Sequence, residues 1–210
     1  MKQYKAYLFD WDGTLAQTLE VWLRVERDLY RKYGLEITDK QIAESFGDWS
    51  AAEKFGLTGD DLRNFNKELP ATAHEAVKVV PLYDHASQTL KNLKQSGKKL
   101  ALVTSSVRET IDAVLSHHEL VELFDIVVTA NEVTSHKPDP ECILHALKEL
   151  RVEVQEAVMV GNSDKDMQAA QNAKVDSVLF YPKSHETFHD KAKLMRFNPT
   201  RVIDQLDQLI

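Results

Sequence analysis

Apolar residues follow two rhythms along this chain. Short unbroken runs at Tyr7–Phe9, Leu100–Val103, Ile126–Val128, Val158–Val160 and Val178–Phe180 have the character of strands buried on both faces. From the second run onward they alternate with stretches whose apolar residues recur every three or four positions, which predicts helices over about 82–96, 107–118, 140–150, 164–173 and 201–210. Gly97 stands where the first of these must stop. Strand–helix alternation of this kind predicts a parallel sheet covered by helices, with ligands bound where the C-terminal strand ends meet the loops.

One stretch breaks the alternation. From about residue 16 to 80 there is no strand rhythm, and the segment is too long for a plain loop. Leu19, Trp22, Leu23, Leu29, Tyr30 and Tyr33 recur at near-helical spacing, followed by Ile42 and Phe46 and then by Leu62, Phe65 and Leu69. The expected fold is therefore α/β: a Rossmann-like parallel sheet core built from 1–15 and 81–210, with an α-helical domain over 16–80 inserted after the first strand. The aromatics of the insert read as its core.

Composition narrows the class. With 210 residues, 43% hydrophobic and 28% charged, the chain can bury a sizeable core and a smaller module. The apolar stretch near the start, Ala6–Phe9, is too short for a signal peptide or a membrane span, so a soluble cytoplasmic protein with no membrane partner is expected. Cys142 is the sole cysteine, which excludes an internal disulfide and a thiolate metal cluster; it opens a helical pattern with Ile143, Leu144 and Leu147 and reads as a buried thiol. A net charge of −7 with no basic run argues against nucleic acid as a partner. An acidic protein can still bind a small phosphate ester where a lysine, a cation or a helix N-terminus makes the site locally positive.

Candidate chemistry collects at the strand ends. Leu8-Phe9-Asp10-Trp11-Asp12-Gly13-Thr14-Leu15 sets two carboxylates two residues apart beyond a buried strand, an arrangement that repels itself without a cation or a proton. Taken alone it could equally be a polar Asp-Gly turn. The second strand ends in Thr104-Ser105-Ser106, hydroxyls that are either an anion site or a helix cap. After the third, His136-Lys137-Pro138-Asp139-Pro140 holds a lysine in a bend that two prolines keep out of any helix. The fourth runs into Gly161-Asn162-Ser163-Asp164-Lys165-Asp166, where acids at a helix start are also simple dipole partners. Carboxylate pair, hydroxyl, lysine and oxygen-rich turn, in that order at four successive strand ends, are the parts of a metal-assisted phosphoryl transfer.

On these residues the chain resembles the haloacid dehalogenase superfamily over nearly its whole length. Asp10-x-Asp12-Gly13-Thr14-Leu15 looks like the first family motif, Thr104 the second, Lys137 the third and Gly161-Asn162-Ser163-x-x-Asp166 the fourth. The insert matches the helical cap of the phosphoglycolate phosphatase and β-phosphoglucomutase relatives. The resemblance implies that Asp10 attacks phosphorus and becomes an aspartyl-phosphate, and that Asp12 protonates the leaving group and then activates water. It implies that Thr104, Ser105, Lys137 and Gly13 hold the phosphoryl oxygens. Mg²⁺ would sit on Asp10, the Asp12 carbonyl and Asn162, with Asp166 in an indirect role, and the substrate would be a small phosphorylated metabolite. The second aspartate separates phosphatases from dehalogenase relatives, and Trp11 is expected only to pack. The cap is expected to close over the site and exclude water, with hinges near 16–18 and 80–82.

The sequence departs from the family at Asn162, where an aspartate is usual; an amide oxygen ligates Mg²⁺ without adding charge. The loop Gly47-Asp48-Trp49-Ser50 sits where relatives choose substrates, yet lacks the arginine pattern expected of a phosphosugar mutase, the alternative activity on this fold. A noncatalytic binder that keeps the fold is a second alternative. His185-Glu186-Thr187-Phe188-His189 fits a zinc-peptidase pattern, but that reading explains none of the four strand ends, and a surface helix face accounts for it better. His117-His118 reads as a helix end near solvent.

Overall fold

The computed structural model describes residues 2–46 and 48–210. Its chain divides into two compact units, one formed by the segments up to Gln17 and from Pro81 to Ile210, the other by Thr18–Val80.

The first unit is built on a parallel sheet. Strands β1 (Ala6–Phe9), β2 (Lys99–Val103), β3 (Ile126–Val128), β4 (Ala157–Gly161), β5 (Asp176–Phe180) and β6 (Arg201–Ile203) lie in the order β3-β2-β1-β4-β5-β6. β1 is central, with Phe9 opposite Leu102 on one side and Val160 on the other. Alternation gives the sheet two buried faces, which is why its strands read as unbroken apolar runs. Ala6, Leu8, Ala101, Val103, Val128 and Met159 pack with Ile143, Ala146 and Leu147 of helix 141–150 and with Ala169 and Ala170 of helix 164–173. Cys142 belongs to the same cluster, a buried thiol whose pKa burial raises to about 11.

The second unit is helical: α1 (Thr18–Lys32), α2 (Asp39–Glu44), α3 (Ala51–Lys54) and α4 (Gly59–Val77). Val21, Leu23, Val25, Leu29 and Tyr30 of α1 are buried, and Tyr30 stacks on Phe65 of α4 with ring centroids 4.7 Å apart. Ile42 and Phe65 are buried as their spacing predicts. Gly47, which opens the loop singled out in the sequence, lies outside the described residues.

Back in the sheet unit, helices α5 (Ala86–Gln95), α6 (Arg108–His117), α7 (Glu141–Leu150) and α8 (Asp164–Ala173) fall within the predicted ranges. Gly97 follows α5 with φ 75°, a left-handed stop that suits glycine. In the insert, Trp49 departs from the reading of its aromatics as core, being 77% exposed, and in the sheet unit two expectations fail. The helix predicted over 201–210 is instead β6 followed by a 3₁₀ turn at Leu206–Leu209. Pairing of Leu179 with Val202 and Phe180 with Ile203 extends the sheet and outweighs a helical periodicity too short to nucleate a helix. His185 does not lie on a surface helix: it is fully buried in the 3₁₀ turn Lys183–Thr187, its ring among Tyr83, Phe180 and Tyr181. The Tyr83 hydroxyl stands 2.8 Å from His185 Nε2, and burial pulls the imidazole pKa down to about 3, so it is a neutral core residue.

Candidate active site

Three strand ends bring buried charges together. Asp10 follows β1, and its N–H donates to the carbonyl of Val160, which holds it against β4. Lys137 comes from the loop after β3; its ammonium donates to Asp10 Oδ1 at 2.6 Å, to Asp166 Oδ1 at 2.6 Å and to the Val103 carbonyl at 3.2 Å. Asp10, Lys137 and Asp166 are 5%, 8% and 0% exposed, so this is a salt bridge taken out of water, tolerable only because each charged group has specific partners.

Local sequence explains each placement. Gly13 adopts φ 73° and donates its N–H to the Ala16 carbonyl at 2.9 Å, so its part is to turn the chain back sharply after Asp12. The lysine loop is braced from below by Glu141, which accepts bonds from Thr134 N and Oγ1 and from Ser135 N. Asp166 is the third residue of α8, where it forms a capping box with Ser163: Asp166 Oδ2 accepts from Ser163 N at 3.0 Å and Oγ at 2.6 Å, while Asp166 N donates to Ser163 Oγ at 3.3 Å. Both carboxylate oxygens of Asp166 are thus engaged, one in fixing the helix start and the other in aiming Lys137.

The remaining predicted residues stand around this cluster. Thr104 is buried at the end of β2, with Oγ1 accepting from Ser106 N at 3.0 Å. Ser105 is exposed. The hydroxyl that meets the second aspartate belongs to Ser106, whose Oγ donates to Asp12 Oδ2 at 2.7 Å; the sequence offered three neighbouring hydroxyls and no periodicity to choose between them. Asn162 is 2% exposed, its Oδ1 accepting from Thr14 Oγ1 at 3.1 Å. Its Nδ2 lies 3.3 Å from Nε2 of His189, a contact with no local pattern in the sequence. The Asn162 NH₂ can only donate, so His189 Nε2 accepts this bond, and burial lowers the pKa of the ring. Trp11 is buried and packs near His118, with ring centroids 6.4 Å apart.

The electrostatics leave a charge to be balanced. Burial first, then the nearby Asp166 carboxylate, push Asp10 up to about 8 against the pull of Lys137. Asp166 moves down instead: burial opposes its charge, but Lys137 and the Ser163 donors outweigh burial. Burial likewise opposes the charge of Lys137, yet Asp10 and Asp166 hold its pKa above the ordinary lysine value. Asp10 and Asp166 are two carboxylates on one ammonium, an excess that an oxygen-seeking divalent cation would offset. Among the described residues no three acidic, histidine or cysteine side chains are gathered for a metal. A cation here would draw on a mixed oxygen set, the Asp10 carboxylate, the Asp12 carbonyl and the Asn162 amide oxygen, which suits a hard ion.

A parallel sheet whose central strand delivers Asp10 to a buried lysine, with Asp12 two residues on, is a Rossmann-like hydrolase fold. The chain belongs to the haloacid dehalogenase-like hydrolases, whose family model matches residues 7–180. It is 31% identical over 211 residues to "Pyrophosphatase PpaX" of Bacillus mycoides (strain KBAB4), across 97% of this chain and 94% of that protein. Among solved structures it is similar to a HAD family hydrolase from Deinococcus radiodurans R1 with bound phosphate and sodium, with TM-score 0.87 and 22% identity over 98% of this chain and 93% of that one. A HAD-superfamily hydrolase of subfamily IA, variant 1, from Geobacter sulfurreducens PCA is similar at TM-score 0.77 and 22% identity, over 98% and 94% of the two chains.

Proposed function

We propose that this protein is a Mg²⁺-dependent phosphatase that hydrolyses a small phosphomonoester through an aspartyl-phosphate on Asp10. The observation that carries this reading is Lys137 bridging Asp10 and Asp166 at 2.6 Å each, beside the strand-end turn of Asp12. With Oδ1 of Asp10 held by Lys137, its other oxygen is left to attack phosphorus in line; the P–O bond to the alkoxide breaks as the Asp10–phosphorus bond forms. Asp12, fixed by Ser106, gives its proton to the leaving alkoxide, then takes one from the water that cleaves the aspartyl-phosphate and frees Asp10. Thr104 and Lys137 hold phosphoryl oxygens throughout. Bound on Asp10, the Asp12 carbonyl and Asn162, Mg²⁺ would supply charge stabilisation for the phosphoryl group. In this reading Thr18–Val80 is the cap domain and the enzyme works on a soluble metabolite in the cytoplasm; among the described residues no helix is long and apolar enough to cross a membrane.

A second reading takes pyrophosphate as the substrate, favoured by the name of the Bacillus relative and its match over 97% of this chain. A panel of phosphate esters, including phosphoglycolate and sugar phosphates, assayed beside pyrophosphate with and without Mg²⁺ separates the two. The expected result is ester hydrolysis that needs Mg²⁺ and is lost by at least about a thousandfold in Asp10→Asn, with an unchanged circular dichroism spectrum. Undiminished turnover in that variant would overturn the assignment of the nucleophile.

A further inference from the structure

The helical unit carries a cavity of its own, about 320 Å³. Residues Trp22, Glu26 and Tyr30 follow one another at four-residue intervals on α1 and line one wall. Phe46, Trp49 and Phe65 line others. Glu26 is 8% exposed, and among the described residues no hydrogen bond or ion pair reaches its carboxyl. Nearby basic groups are engaged elsewhere: the Arg27 guanidinium donates to both oxygens of Asp39 at 3.1 Å, and Lys54 pairs with Asp48 at 2.6 Å. A glutamate among aromatic rings without a counter-charge costs folding energy, and burial accordingly pushes its pKa up to about 7.

Three ligand classes can be weighed against this wall chemistry. A metal ion wants six or more oxygens, and Glu26 supplies one carboxylate among rings. Asp48 also faces the cavity, but its carboxylate accepts from Ser50 N at 3.0 Å and Ser50 Oγ at 2.6 Å besides pairing with Lys54. A neutral apolar molecule would fill the space while leaving Glu26 unpaired. An organic ammonium satisfies both halves of the site, its charge meeting the carboxylate and its C–H groups meeting the ring faces. Trp49, 77% exposed, lines the cavity and is placed to close on such a guest. The charge of the unit points the same way, with twelve acidic against nine basic side chains over 18–80.

We propose that the cavity lined by α1, α4 and the side chains of Phe46 and Trp49 is a binding site for a small organic ammonium, held by the Glu26 carboxylate and an aromatic cage. Asp48 and Trp49 belong to the loop where relatives choose substrates, and the inference is tested by binding alone, without turnover at Asp10. Choline and its uncharged isostere 3,3-dimethylbutan-1-ol, titrated into the full-length protein by calorimetry at pH 8, provide the test. Choline is expected to bind saturably and at least about tenfold more tightly than the alcohol, and Glu26→Gln and Trp49→Ala are each expected to weaken it by about tenfold. Trp49 is exposed, so its variant reports even where Glu26→Gln disturbs the fold. Absence of saturable choline binding, equal binding of the alcohol, or full affinity in Trp49→Ala would overturn the proposal.

Discussion

A methyl group built on Gly161 would stand 2.6 Å from Cγ of Asp166, closer than non-bonded carbons approach. The obstruction is the start of α8, whose first turn Asp166 caps, so it cannot be relieved by rotating one flexible side chain. Gly161→Ala is therefore expected to push Asp166 away from Lys137, lower phosphatase turnover by about a hundredfold or more and cost about 1–3 kcal/mol of stability. Activity assays beside a thermal melt check both; wild-type turnover would mean that Lys137 is aimed without Asp166. The next residue carries a different expectation. Asn162→Asp adds a negative charge at the amide oxygen that Thr14 now holds, and it removes the NH₂ group beside His189. Without metal the added charge crowds Asp10 and Asp166; with Mg²⁺ attraction outweighs this crowding, for a net gain on the order of 1 kcal/mol. Calorimetric titration should show Mg²⁺ binding several-fold tighter, and equal or weaker binding would mean that Asn162 is not a ligand.

At the scale of elements, the burial of Glu26 on α1 has a pH signature. Its folded-state pKa, raised to about 7 from the ordinary 4.5, means that the native protein holds the proton more tightly than the unfolded chain does. Stability is thus unaffected at low pH, falls as pH rises from about 4.5 to 7, and stays reduced above that. Tyr30 and Asp48 are the other ionisable groups facing it, and neither offers positive charge. Glu26→Gln is expected to stabilise the helical unit by about 1–2 kcal/mol at pH 8 and by almost nothing at pH 5, as read by denaturant unfolding followed through Trp22 and Trp49. A pH-independent effect would show that the carboxyl is ionised at no cost. Elements of this kind differ in how much of themselves the sequence displays. The first five strands were legible because burial on both faces demands continuous apolar runs, and α8 because Asp164 and Asp166 mark an acidic helix start, while the capping box between Ser163 and Asp166 emerged only in the structure. β6 was not: Val202, Ile203, Leu206 and Leu209 have helical spacing, and only a vacant edge of β5 makes Arg201–Ile203 a strand. His185 was misread because Lys183, Ser184 and Glu186 around it are polar, while a 3₁₀ turn points one residue of the five inward. The motif order disclosed Asp10, Asp12 and Lys137, but contacts between loops, such as Ser106 to Asp12 and His189 to Asn162, have no local pattern to betray them.

At the scale of the whole chain, the helical unit is an insertion whose two ends are already joined within the sheet unit. Gln17 N donates to the Pro81 carbonyl at 2.9 Å, and Tyr83 N donates to the Leu15 carbonyl at 2.9 Å. Gln17 Nε2 reaches the Leu82 carbonyl at 2.9 Å, and Ala16 and Leu82 form an antiparallel bridge. Because the chain leaves and returns side by side, replacing 18–80 with a short Gly/Ser link closes a loop of a few residues at small entropic cost. The strands and the α7 and α8 faces that fill the sheet core all come from outside the insert. Such a variant is expected to fold with a single cooperative thermal transition and to retain the Asp10–Lys137–Asp166 cluster, whose members and braces all lie in the sheet unit. Scanning calorimetry and near-ultraviolet circular dichroism from Trp11 would record this. A broad transition with no fixed aromatic signal would show instead that the sheet unit needs Thr18–Val80 to reach a packed state, and that the two compact units fold as one.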